Sequence, residues 1–413
     1  MSLSSDQLWL LSTAAETHLG LAWQQLAENQ NILKIVQRLR KTLSPTQAAL
    51  TMELAQLRLR AKDKFGLAEQ MFLTTRGYEQ STSDLLAAYK AQLLPPGQRL
   101  LDLCCGIGGD LSGFARTHEA TGIDLDPLLC EYARRNAALR STTPVQVQCQ
   151  SAVEVSWAGY DFIHVDPDRR SEQHRTTDCR FIQPPLSQLL AKAGEIPLVI
   201  KLAPATRLPD ELKPLAHRQW LGEHRECKQQ LVWLNTRGRQ PLGRKSATLV
   251  LKDGTSVTVT QTRFDGAVAL RHLNAPPEPG SVILEPHAVV LAARLVDSLA
   301  ADFGLKRVTP GLAYLSGEHP VDSPLLSSFR ILSVCPAETR QVTGELRALG
   351  AGVMEWKKRG VELQLFEELQ RIRTKGDRPL VALLLPHEER NLCLIAERIA
   401  RQPRPNSNPA IGG

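Results

Sequence analysis

Apolar residues recur at helical spacing from about residue 6 to residue 89. In TQAALTMELAQLRLRAKDKF, Leu50, Leu54 and Leu57 share a face, while Arg58, Arg60, Lys62 and Lys64 fall mostly off it. The pattern predicts a helical N-terminal region over residues 1–92, whose basic face is either the solvated side of a packing helix or an RNA contact. From residue 93 the period changes. Short β-like runs at 99–103, 120–124, 145–148, 161–165 and 198–202 alternate with helical stretches such as PLLCEYARRNAALR, as expected of βαβ units on a parallel sheet. Then come QQLVWL and SATLVLKDGTSVTVT, the latter two runs joined by Asp253-Gly254. That dipeptide predicts a hairpin, and with it an antiparallel end on the parallel sheet. LNAPPEPG, residues 273–280, reads as a linker. A second α/β segment follows to residue 401, and QPRPNSNPAIGG reads as a disordered tail.

Composition narrows the class. The chain has 413 residues, 42% hydrophobic and 23% charged, which suits a soluble protein of two or three domains. No apolar run approaches the roughly 20 residues that span a bilayer. The first Lys or Arg is Lys34, so no charged segment precedes the mild apolar stretch at residues 8–11. A cytoplasmic protein without membrane contact is expected. The eight cysteines include no CxxC pair, and Cys104 and Cys105 are adjacent, which predicts reduced thiols and no metal site. A net charge of +7 permits nucleic-acid contact without requiring it.

The chemistry begins at LLDLCCGIGGD, residues 100–110, where an apolar strand containing Asp102 runs into glycines followed by Asp110. Such a turn lets backbone approach a ligand and aims N–H groups at it, a weak signal when alone. About twenty residues on, TGIDLDP ends a second strand with Asp124, where a carboxylate reaches the two hydroxyls of a ribose. The two halves describe a nucleoside site. A dinucleotide enzyme calls for GxGxxG and a helix N-terminus open to pyrophosphate. Here Asp110 follows the glycines and its charge opposes a phosphate. NAD fits less well than a cofactor carrying ribose, adenine and a zwitterionic amino acid.

Residues 99–255 resemble a class I S-adenosylmethionine-dependent methyltransferase, and DLCCGIGGDLSGFA is most similar to the motif of the trimethylguanosine synthase group. GIDLDP followed by ARRNA resembles the second motif, YDFIHVDPDRR lies where the family keeps its catalytic motif, and LVIKLAP looks like the fifth strand. EPHAVVLAARLVDSLAADFGL, AYLSGEHPVDSPLLSSFRIL and EWKKRGVEL resemble the THUMP-like domain that follows such a methyltransferase in a family of bacterial proteins. LRLRAKDKFGLAEQMFLTTRGYEQST carries the likeness into the N-terminal region.

The resemblance implies an α/β fold with a Rossmann-like methyltransferase domain over 93–272, a linker over 273–283, a THUMP-like domain over 284–401 and a disordered tail over 402–413. It implies S-adenosyl-L-methionine as cofactor. Asp102 and the backbone of Cys104, Gly106 and Gly108 would cradle the methionine part, Asp124 would bind the ribose, and Leu125, Ser151 and Ala152 would flank the adenine. Many relatives carry an aspartate where Ser151 stands, and serine reaches less far toward the adenine amine. Glu79, Gln80, Ser81 and Thr82 correspond to the stretch that closes over the cofactor. The same stretch also reads as a helix N-cap, with Ser81 or Thr82 capping SDLLAAYKA.

For the reaction, methylation at C5 of a pyrimidine needs a cysteine nucleophile just past the fourth or fifth strand, and neither 166–170 nor 202–207 holds one. Enzymes that methylate exocyclic amines carry an acidic or amide residue, two prolines and an aromatic. Asp166 and Pro167 keep the first half of that pattern, while Asp168 and Arg169 replace the second. The expectation is direct transfer to a nitrogen, with Asp166 orienting or deprotonating the acceptor at Asp166-Pro167 and Arg169 holding the substrate. Against this stands a local ion pair of Asp168 with Arg169 or Arg170. Arg237, Arg239, Arg244 and Lys245 form a basic loop that tracks phosphate or is simply solvated, and Lys357 and Arg359 pose the same choice further on. Lys358 between them would point to the other face of its strand. His164, in an apolar strand, reads as a core histidine, and Trp157, Trp220 and Trp233 read as core or rim packing. The expected function is methyl transfer to RNA. The alternatives are a methyltransferase of a protein or small molecule, and a non-catalytic RNA-binding protein that keeps the cofactor fold.

Overall fold

The computed structural model describes residues 3–168, 178–236, 238–261, 272–388 and 390–401. Arg169, Arg170, Arg237 and the tail expected over 402–413 lie outside the described residues. Contacts divide the chain into two compact units, one of Met1–His224, Lys228–Arg244 and Val250–Ser256, the other of Arg225–Cys227, Lys245–Leu249 and Val257–Gly413.

The first unit opens with α1 (Ser5–Leu10), α2 (Thr13–Ala27), α3 (Ile32–Leu39), α4 (Pro45–Arg60), α5 (Thr75–Gln80) and α6 (Asp84–Gln92). Ser44 and Gln47 form a capping box ahead of Pro45, which starts α4 without wasting a donor. Leu54 and Leu57 of α4 are buried as the periodicity predicts. Arg58 is buried as well, with Nε donating to Met71 O at 2.9 Å and its guanidinium lying over Phe72. Burial lowers its pKa to about 10. A long stem can be interior when backbone carbonyls satisfy its head. Lys62 lies over Trp23 and Lys64 over Tyr78.

The strands are β1 (Arg99–Leu103), β2 (Glu119–Asp124), β3 (Gln146–Cys149), β4 (Phe162–Val165), β5 (Leu198–Leu202), β6 (His217–Glu223), β7 (Glu226–Leu234), β8 (Lys245–Val250) and β9 (Ser256–Thr260). Between them lie α7 (Gly109–Phe114), α8 (Pro127–Ala138) and α9 (Leu186–Ala193). Strand order among the described residues of the first unit is β3-β2-β1-β4-β5-β7-β6, and β8 neighbours β9. Pairing is parallel from β3 through β5 and antiparallel where β7 meets β5. The expected hairpin at Asp253-Gly254 is present, with Gly254 at φ +83°.

β6 is a strand that hydrophobic patterning alone does not mark. His217, Gln219 and Glu223 are buried polar residues there, so neither alternation nor a continuous apolar run appears. Gln219 satisfies itself between Tyr89 and Trp233, at 3.2 Å to each. Trp157, Trp220 and Trp233 are all buried, each with its ring N–H donated, to Ala152 O, Pro204 O and Gln219 Oε1 respectively. They are packing residues.

The second unit contains β10 (Val282–Pro286), α10 (Ala288–Ala293), α11 (Val296–Asp302), β11 (Lys306–Arg307), β12 (Leu315–Gly317), β13 (Leu326–Pro336), α12 (Thr339–Ala348), β14 (Ala351–Lys358), α13 (Leu363–Gln370), β15 (Arg378–His387) and β16 (Arg390–Arg398). Its sheet runs β11-β12-β10-β13-β16-β15-β14, antiparallel except between β14 and β15.

Candidate active site

Residues between β1 and α7 form the floor of a cleft of about 780 Å³ that lies within the first unit. Cys104, Gly106 and Gly108 all take positive φ, at +58°, +55° and +80°. Gly108 is the left-handed N-cap of α7, and a Cβ on it would sit 2.9 Å from Ala133 Cα and 3.1 Å from its carbonyl oxygen in α8. Gly108→Ala should therefore cost at least about 2 kcal/mol, seen as a lower urea midpoint. A Cβ on Gly106 would meet nothing within 4 Å, so the floor there is open. Asn136 of α8 fixes the turn from behind, its Nδ2 donating to Ile107 O at 2.8 Å and to Phe72 O at 2.9 Å, while its Oδ1 accepts from Phe72 N–H at 2.8 Å.

Asp124 ends β2 at the rim of this floor. Its Oδ2 accepts from Gly106 N–H at 2.8 Å and its Oδ1 from Asp126 N–H at 3.1 Å. Leu125 beside it is 73% exposed on the cleft wall, as expected of an apolar side chain that a flat ring could cover. Ser151 and Ala152 line the same side. Gln80, Ser81 and Thr82 pass over the glycines so closely that a Cβ on Gly109 would meet Ser81 Oγ at 1.9 Å. The cap expected from Ser81 or Thr82 is made instead by Ser83, whose Oγ accepts from Leu86 N–H at 3.3 Å. Thr82 is otherwise engaged, donating its hydroxyl to Asp110 Oδ2 at 2.7 Å.

Beneath the floor runs a buried polar chain. His164 of β4, fully buried, meets Asp102 Oδ1 through Nδ1 at 2.6 Å and Lys90 Nζ through Nε2 at 3.4 Å. It is a satisfied core histidine, though inside a network. Asp102 Oδ2 is buried without a hydrogen-bond partner, and Asp102 also lines the cleft. Burial raises the Asp102 pKa, against the pull of His164. Lys90 is paired with Asp110. Burial lowers the lysine's pKa against that pairing. Burial would raise Asp110, but Lys90, Lys201 and His164 outweigh it and hold the carboxyl below the ordinary range. Asp110 is thus not the bare negative charge that its place after the glycines suggests.

At the other end of the cleft, Asp166 follows β4, with its N–H donating to Leu103 O at 3.1 Å and its Oδ2 accepting from Lys201 Nζ at 2.6 Å. Burial would lower Lys201, yet Asp166 and Asp110 raise its pKa on balance, so it is an ammonium. Pro167 and Asp168 line the cleft next to it. Asp168 pairs with Arg76 of α5 at 2.7 Å, a residue distant in sequence.

The cleft therefore gathers Asp102, Cys104, Gly106, Asp124, Leu125, Ser151, Ala152, Thr82, Asp166 and Pro167, with Gly108 shaping its floor from the second layer. Arg239 and Arg244 are not among its lining residues. Lys357 and Arg359 belong to the second unit, where both pair with Glu285, at 2.7 and 3.4 Å, while Lys358 lies over Phe366 on the opposite face. Sequence reasoning missed Lys90, Lys201 and Arg76. The available signal was a lysine inside an apolar run, in LLAAYKA and in LVIKLAP.

No protein-family model matches the sequence. Proteins from two Mycobacterium tuberculosis strains, CDC 1551 and H37Rv, each named an uncharacterized S-adenosylmethionine-dependent methyltransferase, are 27% identical over 354 residues, covering 82% of this chain and 92% of theirs. The crystal structure of a candidate methyltransferase from Porphyromonas gingivalis W83 superposes with a TM-score of 0.71 at 18% identity, over 87% of this chain and 92% of that one. The fold is that of a class I S-adenosylmethionine-dependent methyltransferase. Strand order β3-β2-β1-β4-β5-β7-β6 with β7 reversed is the framework of this fold, and the cleft opens at the C-terminal ends of its parallel strands. The residues fit such a cofactor: Asp102 has an unpartnered buried carboxylate oxygen, the floor at Gly106 is open, and Asp124 stands beside the exposed Leu125 on the cleft wall. Among the described residues no His, Cys, Asp and Glu cluster is arranged to hold a metal, and no helix is long and apolar enough to cross a membrane.

Proposed function

We propose that this S-adenosylmethionine-dependent methyltransferase acts on a nitrogen of an RNA base by direct, non-covalent transfer. The observation that carries the reading is Asp166-Pro167 at the end of β4, lining the cleft with the carboxylate held by Lys201. When bound, the cofactor supplies an electrophilic methyl group on a sulfonium. Asp102 and the backbone at Cys104 and Gly106 hold its amino-acid end, Asp124 its ribose, and Leu125, Ser151 and Ala152 its adenine, with Thr82 in the strap above. Asp166 accepts a hydrogen from the acceptor amine, which orients the nitrogen lone pair and stabilises the positive charge that grows on it. The substrate contacts given to Arg169 and Arg237, which lie outside the described residues, are part of the same proposal.

The thiols support non-covalent chemistry. Burial raises the pKa of both Cys104 and Cys105, the cysteines that line the cleft, so neither is a thiolate at neutral pH. Each single Cys→Ser variant is expected to keep full turnover, and a denaturation-resistant protein–RNA adduct would contradict the reading. Residues 284–401 act as a THUMP-like domain that docks structured RNA. Since Lys357 and Arg359 are paired with Glu285, their phosphate contacts require that pairing to open. The deciding experiment is transfer of labelled methyl from S-adenosylmethionine to total RNA, protein and metabolite fractions. Label in a base of the RNA fraction is expected. Label confined to protein or metabolites would replace RNA as the substrate.

A further inference from the structure

We propose that Lys201 is a positioning residue for methyl transfer, holding Asp166 through one carboxylate oxygen so that the other is presented to the acceptor. The proposal rests on the role given to Asp166 above. Lys201 lies within β5, LVIKL, a strand buried along its whole length. An ammonium in such a strand is costly unless its head is paired. Lys201 Nζ donates to Asp166 Oδ2 at 2.6 Å and to Gln80 O at 3.4 Å, and it lies 3.5 Å from Asp110 Oδ2. Those three partners come from the end of β4, the strap over the glycines and the start of α7.

Behind the lysine nothing can give way easily. Asp110 is gripped by Lys90, which is only 2% exposed, and by the Thr82 hydroxyl at 2.7 Å. The charges alternate from the core outward: Lys90, Asp110, Lys201, Asp166. Only the last reaches solvent appreciably, its side chain 28% exposed at the cleft. Without Lys201, Asp110 still has Lys90 as a counter-charge in direct contact. The carboxylate that depends on Lys201 is Asp166. Among the described residues the Asp166 side chain has no other ion-pair or hydrogen-bond partner to hold it, and misplacement by about 1 Å is enough to slow an aligned reaction about 100-fold.

The test compares full-length wild type, Lys201→Met and Lys201→Arg, using labelled S-adenosylmethionine and whichever fraction the wild type labels, alongside calorimetry with S-adenosylhomocysteine. Lys201→Met is expected to lose about 100-fold in kcat while KM for S-adenosylmethionine and affinity for S-adenosylhomocysteine stay within about twofold. Lys201→Arg should recover at least about a tenfold part of that loss, since it keeps the charge on a different head. Unchanged kcat in Lys201→Met, or a loss matched by lost S-adenosylhomocysteine affinity and not recovered by arginine, overturns the proposal. A crystal structure of Lys201→Met with S-adenosylhomocysteine reads the same point without turnover: the Asp166 carboxylate should leave its wild-type position, and an unmoved carboxylate overturns the proposal. If protein or metabolites take the label, the RNA reading fails, while the role of Lys201 is decided by the same comparison.

Discussion

Asp166→Ala is expected to reduce methyl transfer by about 10²–10⁴-fold while S-adenosylhomocysteine still binds. The asymmetry follows from position. Asp166 comes after the last residue of β4, and its backbone N–H is donated to Leu103 O, so the strand end stays in register whatever the side chain is. Its carboxylate is held by Lys201 and lines the part of the cleft shared with Pro167 and Asp168, away from the Asp124 and Leu125 rim that suits the nucleoside. Removing it takes away the acceptor that the proposed reaction needs mainly as charge develops on the attacking nitrogen. Such a loss appears in kcat rather than in cofactor binding. Asp166→Asn should fall between, because an amide oxygen can still orient an N–H but carries no charge. Single-turnover rates with labelled cofactor, paired with calorimetry, measure both halves. Full activity in Asp166→Ala would remove the residue from the chemistry.

Asp124→Ala is expected to weaken S-adenosylmethionine binding by about 10²–10⁴-fold. Two charge-assisted hydrogen bonds to a ribose diol are worth about 1.5–3 kcal/mol each once water is excluded. The structure adds a second reason. The same carboxylate accepts the N–H groups of Gly106 and Asp126, so it also pins the open glycine to the end of β2. Asp124→Asn separates the two effects: its amide oxygen can still accept one backbone N–H, while its NH₂ cannot accept either hydroxyl. A large loss in both variants, with Asp124→Asn keeping the wild-type urea midpoint, assigns the effect to the ribose. A loss in alanine alone would assign it to the turn. Unchanged affinity in Asp124→Ala, by calorimetry, would take Asp124 out of the cofactor site.

Much of the first sheet was legible because its signals are local. Short apolar runs broken by helical stretches place β1 to β5, and the glycine turn with an aspartate about twenty residues on marks the cleft at the switch in strand order. Three features were not legible, each for a reason outside its own segment. In β6, Gln219 is interior because Tyr89, far away in sequence, and Trp233 of the next strand meet it, and Glu223 because the Ser83 hydroxyl, equally remote, donates to it. Arg58 looked solvated from its spacing, but the carbonyls of Gln70 and Met71 return to satisfy it. Asp168 also pairs with Arg76, which is far from it in sequence, while Arg169 and Arg170 lie outside the described residues.

The sequence by itself determined the order of β1 to β5 with helices between them, the left-handed turn that glycine permits, and the residue types that line the cleft. These depend on backbone conformation and periodicity, which neighbouring residues dictate. Tertiary structure alone decided the electrostatics of the cleft. Whether Asp110 repels an anion or is neutralised, and whether Asp166 is loose or clamped, depends on lysines at positions 90 and 201 that meet it only after the sheet has formed. Coulomb interactions in a buried, low-dielectric site are strong at contact distance and are set by which charges the fold brings together. No spacing rule along the chain encodes that distance.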